Sequence, residues 1–232
     1  MHDSAIKNCQ NFFKAYCTDL DPSQPARIIE IGSQDINGSL RSIAPPQFDY
    51  VGVDFAEGNG VDVVLTDPYS LPFEDESADI VISSSCFEHS EMFWIVFLEI
   101  LRVLKPSGLF YLNAPSNGNF HRYPVDCWRF YPDSGNALAK WAQRNGLNSL
   151  LLESYISNQD GGIWNDFVAV FLKDGANLSR HPSRILDNLQ GYRNGFKHGE
   201  TGPLNHVELS EDHVRLRVIQ QICENKISVN II

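Results

Sequence analysis

The sequence has few basic residues for its size and no long apolar run. It contains 18 Lys and Arg against 29 Asp and Glu in 232 residues, which gives a net charge of −11. A body this acidic repels phosphate backbones and anionic lipids, so we expect no nucleic-acid partner and no membrane partner. The most apolar segment, residues 92–104, is interrupted by Glu99 and Arg102 and is too short to cross a bilayer.

Cysteine pairs, leader signals and metal motifs are also missing. Five cysteines are scattered without a Cys-x-x-Cys spacing, which is typical of reduced thiols. The N-terminus lacks a basic region followed by an apolar stretch and a small-residue cleavage site, so we expect a cytoplasmic protein. We predict no metal site, because the tail histidines show no paired ligand spacing: His181, His198, His206 and His213.

Three common catalytic or nucleotide-binding motifs do not occur in the chain. Without Gly-x-Gly-x-x-Gly, a dinucleotide dehydrogenase has no phosphate cradle. The absence of Gly-x-x-x-x-Gly-Lys-Ser/Thr argues against a phosphate-loop hydrolase. The absence of Gly-x-Ser-x-Gly leaves serine hydrolysis without its nucleophile turn.

Residues 27–54 carry the most informative pattern that is present. A buried strand ends in Glu30 and Gly32, and a second buried strand ends in Asp54 about twenty residues later. A glycine turn lets a ligand approach the backbone, and an acid at the tip of the next strand reaches both hydroxyls of a ribose. This pattern predicts a nucleoside site. Packing alone is the weaker explanation of Asp54.

Strand-like and helix-like segments alternate along the chain, which favours a parallel sheet with helices on both faces. Seven strands are predicted, at residues 27–31, 50–54, 61–65, 79–83, 109–112, 150–156 and 167–172. The link between the last two is too short for a helical crossover, so they should pair antiparallel. We therefore predict an α/β fold with a doubly wound, mostly parallel seven-stranded sheet whose last strand is antiparallel.

Helices are predicted around this sheet and in the tail. Those near the sheet cover residues 5–17, 91–104 (with Ser90 as N-cap) and 133–144. The tail should hold helices at 183–190 and 210–223, joined by a polar, glycine-rich link that we predict to be a mobile or extended arm. The second has an apolar stripe of Val214, Val218 and Ile222, which could pack on the body or on a second subunit.

These predictions divide the chain into three parts. Residues 1–24 hold an N-terminal helix that packs on the core, and residues 25–173 form the main domain. Residues 174–232 form a partly helical C-terminal extension, whose apolar stripe makes it a candidate interface of a homodimer.

Several motifs, in order, resemble the class I S-adenosylmethionine-dependent methyltransferases, type 11-like branch. The resemblance covers about residues 25–173. It rests on Ile29-Glu30-Ile31-Gly32-Ser33, on Asp54, and on the segments 66–73, 85–89 and 101–108. One departure concerns the first motif, where the family usually has a second glycine and this chain has Gln34. The resemblance implies a Rossmann-like methyltransferase domain with S-adenosyl-L-methionine as cofactor.

The resemblance also implies roles for individual residues. The expected cofactor-binding set is Glu30, Gly32, Ser33, Asp54, Phe55, Asp67, Pro68, Tyr69 and Ser85. Asp54 would accept hydrogen bonds from the ribose and Asp67 from the adenine amino group, while Phe55 and Tyr69 would pack on the ring. Three simpler interpretations stay open: an ion pair for Glu30, a turn at Asp67-Pro68 and core packing for Phe55.

The segment 120–132 follows the fifth strand, at the edge where ligands of such sheets bind. It is rich in aromatic and basic residues, and we predict acceptor contacts from Arg122, Tyr123, Trp128 and Arg129. A lid whose aromatic residues only cover the cofactor is the alternative. If the acceptor is a hydroxyl, His121 is the first candidate for a general base and His89 the second.

The sequence therefore predicts an S-adenosylmethionine-dependent methyltransferase for a small-molecule or glycan-like acceptor. A non-catalytic methyltransferase-like scaffold that binds a protein through its C-terminal extension is the alternative. A nucleotide-sugar or nicotinamide enzyme on a related sheet is a third hypothesis. The acceptor itself, and whether O, N or C is methylated, does not follow from the sequence.

Overall fold

The computed structural model describes residues 3–18, 25–160 and 162–228. Eight strands form its sheet: β1 (Arg27–Ile31), β2 (Asp49–Asp54), β3 (Val63–Val64), β4 (Ala78–Ser84), β5 (Leu104–Pro115), β6 (Leu150–Ser157), β7 (Asp166–Leu172) and β8 (Tyr192–Lys197). The α-helices are α1 (Asp3–Tyr16), α2 (Phe93–Val103), α3 (Ser134–Arg144) and α4 (Glu211–Cys223). Short 3₁₀ helices occur at Leu40–Ile43, Phe87–His89, Gly175–Arg180 and Ile185–Asp187.

The strand order is β3-β2-β1-β4-β5-β7-β6-β8. Strand β1 pairs in parallel with both β2 and β4, and β4 pairs in parallel with β5. Strand β7 runs antiparallel to both β5 and β6. The predicted doubly wound, mostly parallel fold is thus confirmed. Its strand order reverses beside β1, the place where open α/β sheets bind their ligands.

The tail adds an eighth strand that the sequence pattern did not predict. Strand β8 lies within the segment 191–207, for which we expected a mobile or extended arm, and it pairs antiparallel with the outer edge of β6. A buried carboxylate explains why the tail returns to the sheet. Glu153 on β6 accepts hydrogen bonds from the backbone N–H groups of Ile185 and Leu186, at 2.7 and 2.9 Å. Because those two side chains are also buried, the arm is fixed on the body.

Two hydrophobic layers enclose the sheet. Helix α1 buries Cys9, Phe12 and Phe13 against one face. On the other face, α2 is apolar on most sides because it contacts the sheet and α3, and it buries residues such as Phe97 and Ile100. This packing explains the apolar segment 92–104. No helix in the described part of the chain is both long enough and apolar enough to cross a membrane.

Some predicted helix boundaries were wrong. Helix α2 begins at Phe93 after Met92, since the backbone N–H of Ser90 instead closes the preceding 3₁₀ turn on the Phe87 carbonyl. Residues 183–190 contain one short 3₁₀ helix rather than an α-helix. Helix α4 has its predicted Ser210 cap, but it buries none of its side chains. Its apolar stripe lies exposed, so it does not cover α2.

Candidate cofactor and acceptor site

A cavity of about 800 Å³ opens at the carboxyl edge of the parallel strands. Its walls come from the ends of β1, β2, β4 and β5 and from residues 121–125. Strand β7 also contributes, because it runs in the opposite direction and so brings its first residue, Asp166, opposite Pro115 at the end of β5. A volume of this size falls in the range of small-molecule and cofactor sites.

The turn after β1 requires glycine for two reasons. Gly32 has a φ of +82°, a left-handed conformation that disfavours any residue with a side chain. A Cβ atom at this position would also lie 2.6 Å from the Cβ of Cys86, which leads out of β4. From the sequence, we expected this glycine to let a ligand approach the backbone. The structure adds that Cys86 already occupies the space a side chain would need.

Asp54 ends β2 and lines the cavity. Its side chain is 7% exposed and accepts backbone hydrogen bonds from Gln34 at 3.1 Å and from Phe55 at 2.7 Å. No ion pair within the described ranges involves it. A carboxylate has about four lone-pair sites. Asp54 is therefore oriented by the backbone and keeps acceptor capacity for a ligand.

Gln34 stands where the related family usually has a second glycine, and it lines the cavity too. Its side-chain amide donates to the Glu57 carbonyl at 3.0 Å. Its side-chain oxygen accepts from the hydroxyl of Tyr123 at 2.7 Å. The departure from the family motif thus creates a direct contact between the glycine turn and the segment after β5.

Glu30 and Ser33 lie behind the turn and not on the cavity wall. The Glu30 carboxylate is buried and accepts a hydrogen bond from the Tyr50 hydroxyl at 2.6 Å. Burial raises the pKa of Glu30 to about 7, against which the Tyr50 hydrogen bond acts in the lowering direction. Its hydrogen-bond partner is a neutral phenol rather than the cation expected of an ion pair. Ser33 is buried with it, and its backbone N–H bonds to Val53.

The predicted adenine contacts divide into two groups. Phe55, Pro68 and Tyr69 line the cavity, and Phe55 is 48% exposed rather than packed in the core. Asp67 is exposed and does not line the cavity, while one of its oxygens accepts the backbone N–H of Tyr69 at 2.9 Å. Its contact is the local turn that we considered as the simpler alternative. Ser85, at the end of β4, lines the cavity with a φ of +51°.

The predicted acceptor residues divide in the same way. Arg122 and Tyr123 line the cavity, but Trp128 and Arg129 do not. Arg129 donates two hydrogen bonds to the carboxylate of Asp126, at 2.6 and 2.9 Å, and this guanidinium lowers the pKa of Asp126 to about 2. Arg129 therefore fixes the segment's shape instead of presenting a free cation.

Trp128 stabilises the same segment from outside the cavity. Its indole N–H donates to the Ser90 carbonyl at 2.9 Å, and its ring packs on Phe93 and Trp94. The sequence alone gave no means to separate Tyr123 from Trp128, because both are aromatic residues of one loop. Only the path of the folded loop distinguishes them.

Both candidate bases line the cavity, next to a buried acid. His89 and His121 have ring centroids 5.0 Å apart, and Glu88 lies beside them, since all three offer ligand atoms within 4.8 Å of one another. Burial raises the pKa of Glu88 to about 8 and lowers the pKa of His89. His89 Nδ1 lies against the Val125 carbonyl, and His121 Nδ1 lies 3.0 Å from the Asn119 carbonyl.

The wall residues that were not predicted from the sequence as individual site candidates include Cys86, Glu88, Trp164 and Asp166. Glu88 had a detectable signal, namely an acidic residue beside a histidine just beyond a buried strand. Trp164 and Asp166 had none, because they lie at the start of a strand whose reversed direction brings them to the ligand edge.

The arrangement fits a nucleoside sulfonium such as S-adenosylmethionine. Asp54 suits the ribose diol, and Phe55 with Tyr69 offers apolar surface for the adenine. The wall also contains the carboxyl groups of Asp54, Glu88 and Asp166, whose ionised forms a cationic ligand would stabilise.

Comparison with known proteins supports this assignment. A family described as "Methyltransferase domain" matches residues 6–112. Phthiotriol/phenolphthiotriol dimycocerosates methyltransferase 1 of Mycobacterium ulcerans is 44% identical over 89 residues, which are 37% of this chain and 30% of that protein. Malonyl-[acyl-carrier protein] O-methyltransferase of Methylococcus capsulatus is 31% identical over 97 residues, which are 36% of this chain and 35% of that protein. The chain thus spans about a third of the length of these relatives.

A solved structure shares the fold. It is Burkholderia thailandensis 1,6-didemethyltoxoflavin-N1-methyltransferase with bound 1,6-didemethyltoxoflavin and S-adenosylhomocysteine, with a TM-score of 0.55 and 14% identity. The match covers 74% of this chain and 79% of that one. The family match spans a little under half of the chain, and together with the shared fold it supports a class I S-adenosylmethionine-dependent methyltransferase with S-adenosyl-L-methionine as cofactor.

Proposed function

We propose that this protein transfers a methyl group from S-adenosylmethionine to a small-molecule or glycan-like acceptor. The observation that carries the proposal is Asp54. It is a backbone-oriented carboxylate at the end of β2, on the wall of a cavity of about 800 Å³ and beside the Gly32 turn. The nucleoside part of the cofactor requires this combination.

In this proposal the cofactor supplies an activated methyl group, and the protein's task is mainly alignment. Asp54 accepts hydrogen bonds from the ribose hydroxyls, which as charge-assisted bonds contribute about 1.5–3 kcal/mol each. Phe55, Pro68 and Tyr69 hold the adenine. Ser85, at the end of β4, is the remaining predicted cofactor contact on the wall.

The acceptor enters, in the same proposal, beside the segment 121–125. Arg122 offers a cation to an anionic group of the acceptor, and Tyr123 offers an aromatic face. His121 is 39% exposed in its side chain, His89 only 13%, so His121 is the more accessible candidate for a general base. The methyl acceptors named for the two relatives differ widely, so they support the reaction class without selecting an acceptor.

Calorimetric titration with S-adenosylhomocysteine tests the cofactor site. We expect micromolar binding that falls about 10- to 100-fold in Asp54→Asn, which loses charge-assisted hydrogen bonds. Asp67→Asn is the matched control, because Asp67 is an acid of the same region that lies off the cavity wall. It should bind within about twofold of the wild type.

Thermal unfolding of each variant separates a lost contact from a lost fold, and Asp54→Glu retains the charge if the asparagine variant unfolds. Absence of binding by the folded wild-type protein would refute the proposal. Binding that drops in Asp67→Asn and not in Asp54→Asn would refute the assigned roles.

We further propose that the C-terminal extension mediates homodimerisation. Helix α4 exposes apolar side chains along one stripe, including Val214, Val218 and Ile222, while its acidic first turn is anchored to the body. Such a stripe is a common mark of an interface. Light scattering should give twice the chain mass, and Val218→Glu should return the protein to the monomer. A wild-type monomer would exclude this role.

A further inference from the structure

The acceptor side of the cavity contains a group of side chains that methyl transfer does not require. Glu88 and His89 lie in the 3₁₀ helix after β4, His121 lies in the loop after β5, and all three line the cavity. Their possible ligand atoms lie within 4.8 Å of one another. Glu88 Oε1 and His89 Nε2 are 3.7 Å apart. Sequence spacing alone does not reveal this group, because His121 is more than thirty residues from its partners.

Glu88 provides an independent sign that a ligand is needed. It is 1% exposed, and its Oε2 atom is buried without a hydrogen-bond partner among the described residues. A buried carboxylate oxygen that lacks a partner costs free energy unless a cation or a donor satisfies it. The nearby guanidinium of Arg129 is already held by Asp126. By contrast, Glu153 elsewhere in the core receives backbone and phenol hydrogen bonds.

Both imidazoles are oriented as metal ligands are. The Nδ1 atom of His89 lies against the Val125 carbonyl, and that of His121 lies against the Asn119 carbonyl. A carbonyl oxygen only accepts, so a proton on each Nδ1 satisfies the carbonyl and leaves the Nε2 lone pair for a ligand. The Nδ1 atom of His121 also lies 3.5 Å from an Arg129 nitrogen, a longer contact than the 3.0 Å to the Asn119 carbonyl. A backbone carbonyl behind Nδ1 is a usual second contact of a metal-bound histidine.

We propose that Glu88, His89 and His121 bind a divalent transition-metal ion on the acceptor side of the cavity. Two imidazoles and one carboxylate select a first-row metal such as Zn²⁺ or Fe²⁺ over Mg²⁺ or Ca²⁺, which prefer oxygen ligands. Ligand atoms around a tetrahedral zinc ion lie about 3.4 Å apart, given bonds of about 2.1 Å. The 3.7 Å separation of Glu88 and His89 is close to this value, and the ligand atom of His121 lies within 4.8 Å of both.

The proposed metal site also favours one class of methyl acceptor, namely molecules that carry a hydroxyl group. Three protein ligands leave coordination positions that are accessible from the cavity, and an acceptor oxygen is a suitable ligand for them. A metal-bound hydroxyl loses its proton more readily, so His89 and His121 would then act as ligands and not as general bases. This part rests on the proposed methyl transfer, whereas metal binding itself does not.

Metal binding is therefore measured on the full chain without cofactor. The protein is dialysed against a chelator and titrated with Co²⁺, while visible absorption reports coordination and calorimetry reports affinity. Excess Zn²⁺ should displace the Co²⁺ signal. We expect one Co²⁺ per chain and a loss of affinity of about 100-fold or more in His121→Ala, since even residues that only orient ligands contribute about 10- to 100-fold.

His206→Ala is the matched control, because His206 is an exposed histidine of the tail, outside the cavity. It should bind Co²⁺ like the wild type. Glu88→Gln tests the carboxylate, and His121→Ala remains informative if the buried Glu88 variant unfolds. A wild type that binds no Co²⁺, or binding that is unchanged in His121→Ala, would overturn the proposal. Failure of the methyltransferase proposal would appear separately, as absent S-adenosylhomocysteine binding.

Discussion

The two halves of the cavity are built by different means. The cofactor half, defined by Gly32, Asp54 and Phe55, consists of strand ends and tight turns held by backbone hydrogen bonds. The acceptor half, defined by residues 121–123, is a loop held mainly by side chains, above all the Asp126–Arg129 pair. The first half follows from local sequence rules. The second also depends on contacts with distant residues, such as Tyr123 with Gln34 and Trp128 with Ser90.

This contrast has a functional meaning. Under the proposed function, the cofactor half binds a ligand that all S-adenosylmethionine-dependent methyltransferases share, so this half can be rigid and generic. Acceptors differ, and a loop on a rigid scaffold is the usual place for such variation. The following predictions test whether the two halves are as separate as their construction indicates.

The largest effect on stability and on cofactor binding is expected from Gly32→Ala in the cofactor half. A left-handed alanine costs about 1–2 kcal/mol, and its Cβ would collide with Cys86, which adds about 1–3 kcal/mol. We expect a loss of about 3 kcal/mol or more in the free energy of unfolding, and loss of S-adenosylhomocysteine binding.

Gly146→Ala is the matched control for this variant. Gly146 has the same φ of +82°, but a Cβ atom added there would meet no other atom within 4 Å. Denaturant unfolding of both variants therefore separates the backbone cost from the collision. Equal losses in the two would mean that the Cys86 contact is unimportant.

The second largest effect is expected in the pH dependence of the free energy of unfolding, through Glu30, the buried acid behind the glycine turn. The pKa of Glu30 rises from 4.5 to about 7 on folding, mainly through burial. As the pH rises, the unfolded chain therefore releases this proton before the folded protein does. The contribution of Glu30 to the free energy of unfolding is fully present below pH 4.5 and is lost as the pH rises toward 7. The loss amounts to about 3 kcal/mol.

Glu30→Gln removes this titration and keeps an acceptor for the Tyr50 hydroxyl. Relative to the wild type, the variant should gain about 3 kcal/mol in the free energy of unfolding between about pH 4.5 and pH 8. Denaturant unfolding at several pH values measures the difference. Parallel curves for the two proteins would show that Glu30 does not carry the predicted pKa.

A smaller and more local effect is expected from Asp126→Ala in the acceptor half. It removes the hydrogen bonds from Arg129 and from the backbone of His121, so amides of residues 117–131 should exchange with deuterium about tenfold faster. S-adenosylhomocysteine affinity should stay within about threefold. Asp49→Ala breaks an exposed pair with Arg27 and should change neither quantity. A large loss of cofactor affinity in Asp126→Ala would show that the halves are not independent.

The smallest effect should come from Tyr123→Phe, which removes the hydroxyl contact to Gln34 between the two halves. One neutral hydrogen bond contributes about 0.5–1.5 kcal/mol, so S-adenosylhomocysteine should dissociate about 2- to 10-fold faster. Stopped-flow displacement measures this rate. Trp128→Phe serves as the comparison, because Trp128 lies off the cavity wall and its loss should leave the rate unchanged.

Much of the cofactor half could be predicted because it obeys rules of short range. The end of β1, the glycine turn and the acid that ends β2 form one continuous stretch, and their types and spacing predict a nucleoside site. Glu30, Ser33 and Asp67 are the predicted cofactor contacts that do not line the cavity, and Asp67 illustrates why. A turn-forming Asp-Pro and an adenine-binding acid have the same sequence appearance, and the folded backbone directs this one to its own turn.

The amino-acid sequence by itself determined the strand pattern, the glycine turn and the acid that ends β2, because each depends on neighbours within a few residues or on strand ends. Only the tertiary structure decided that β8 joins the sheet, and that Glu88, His89 and His121 meet. Those outcomes depend on contacts between distant segments, such as Glu153 with Ile185, and on the direction in which β7 returns. Local pattern contains no information on either.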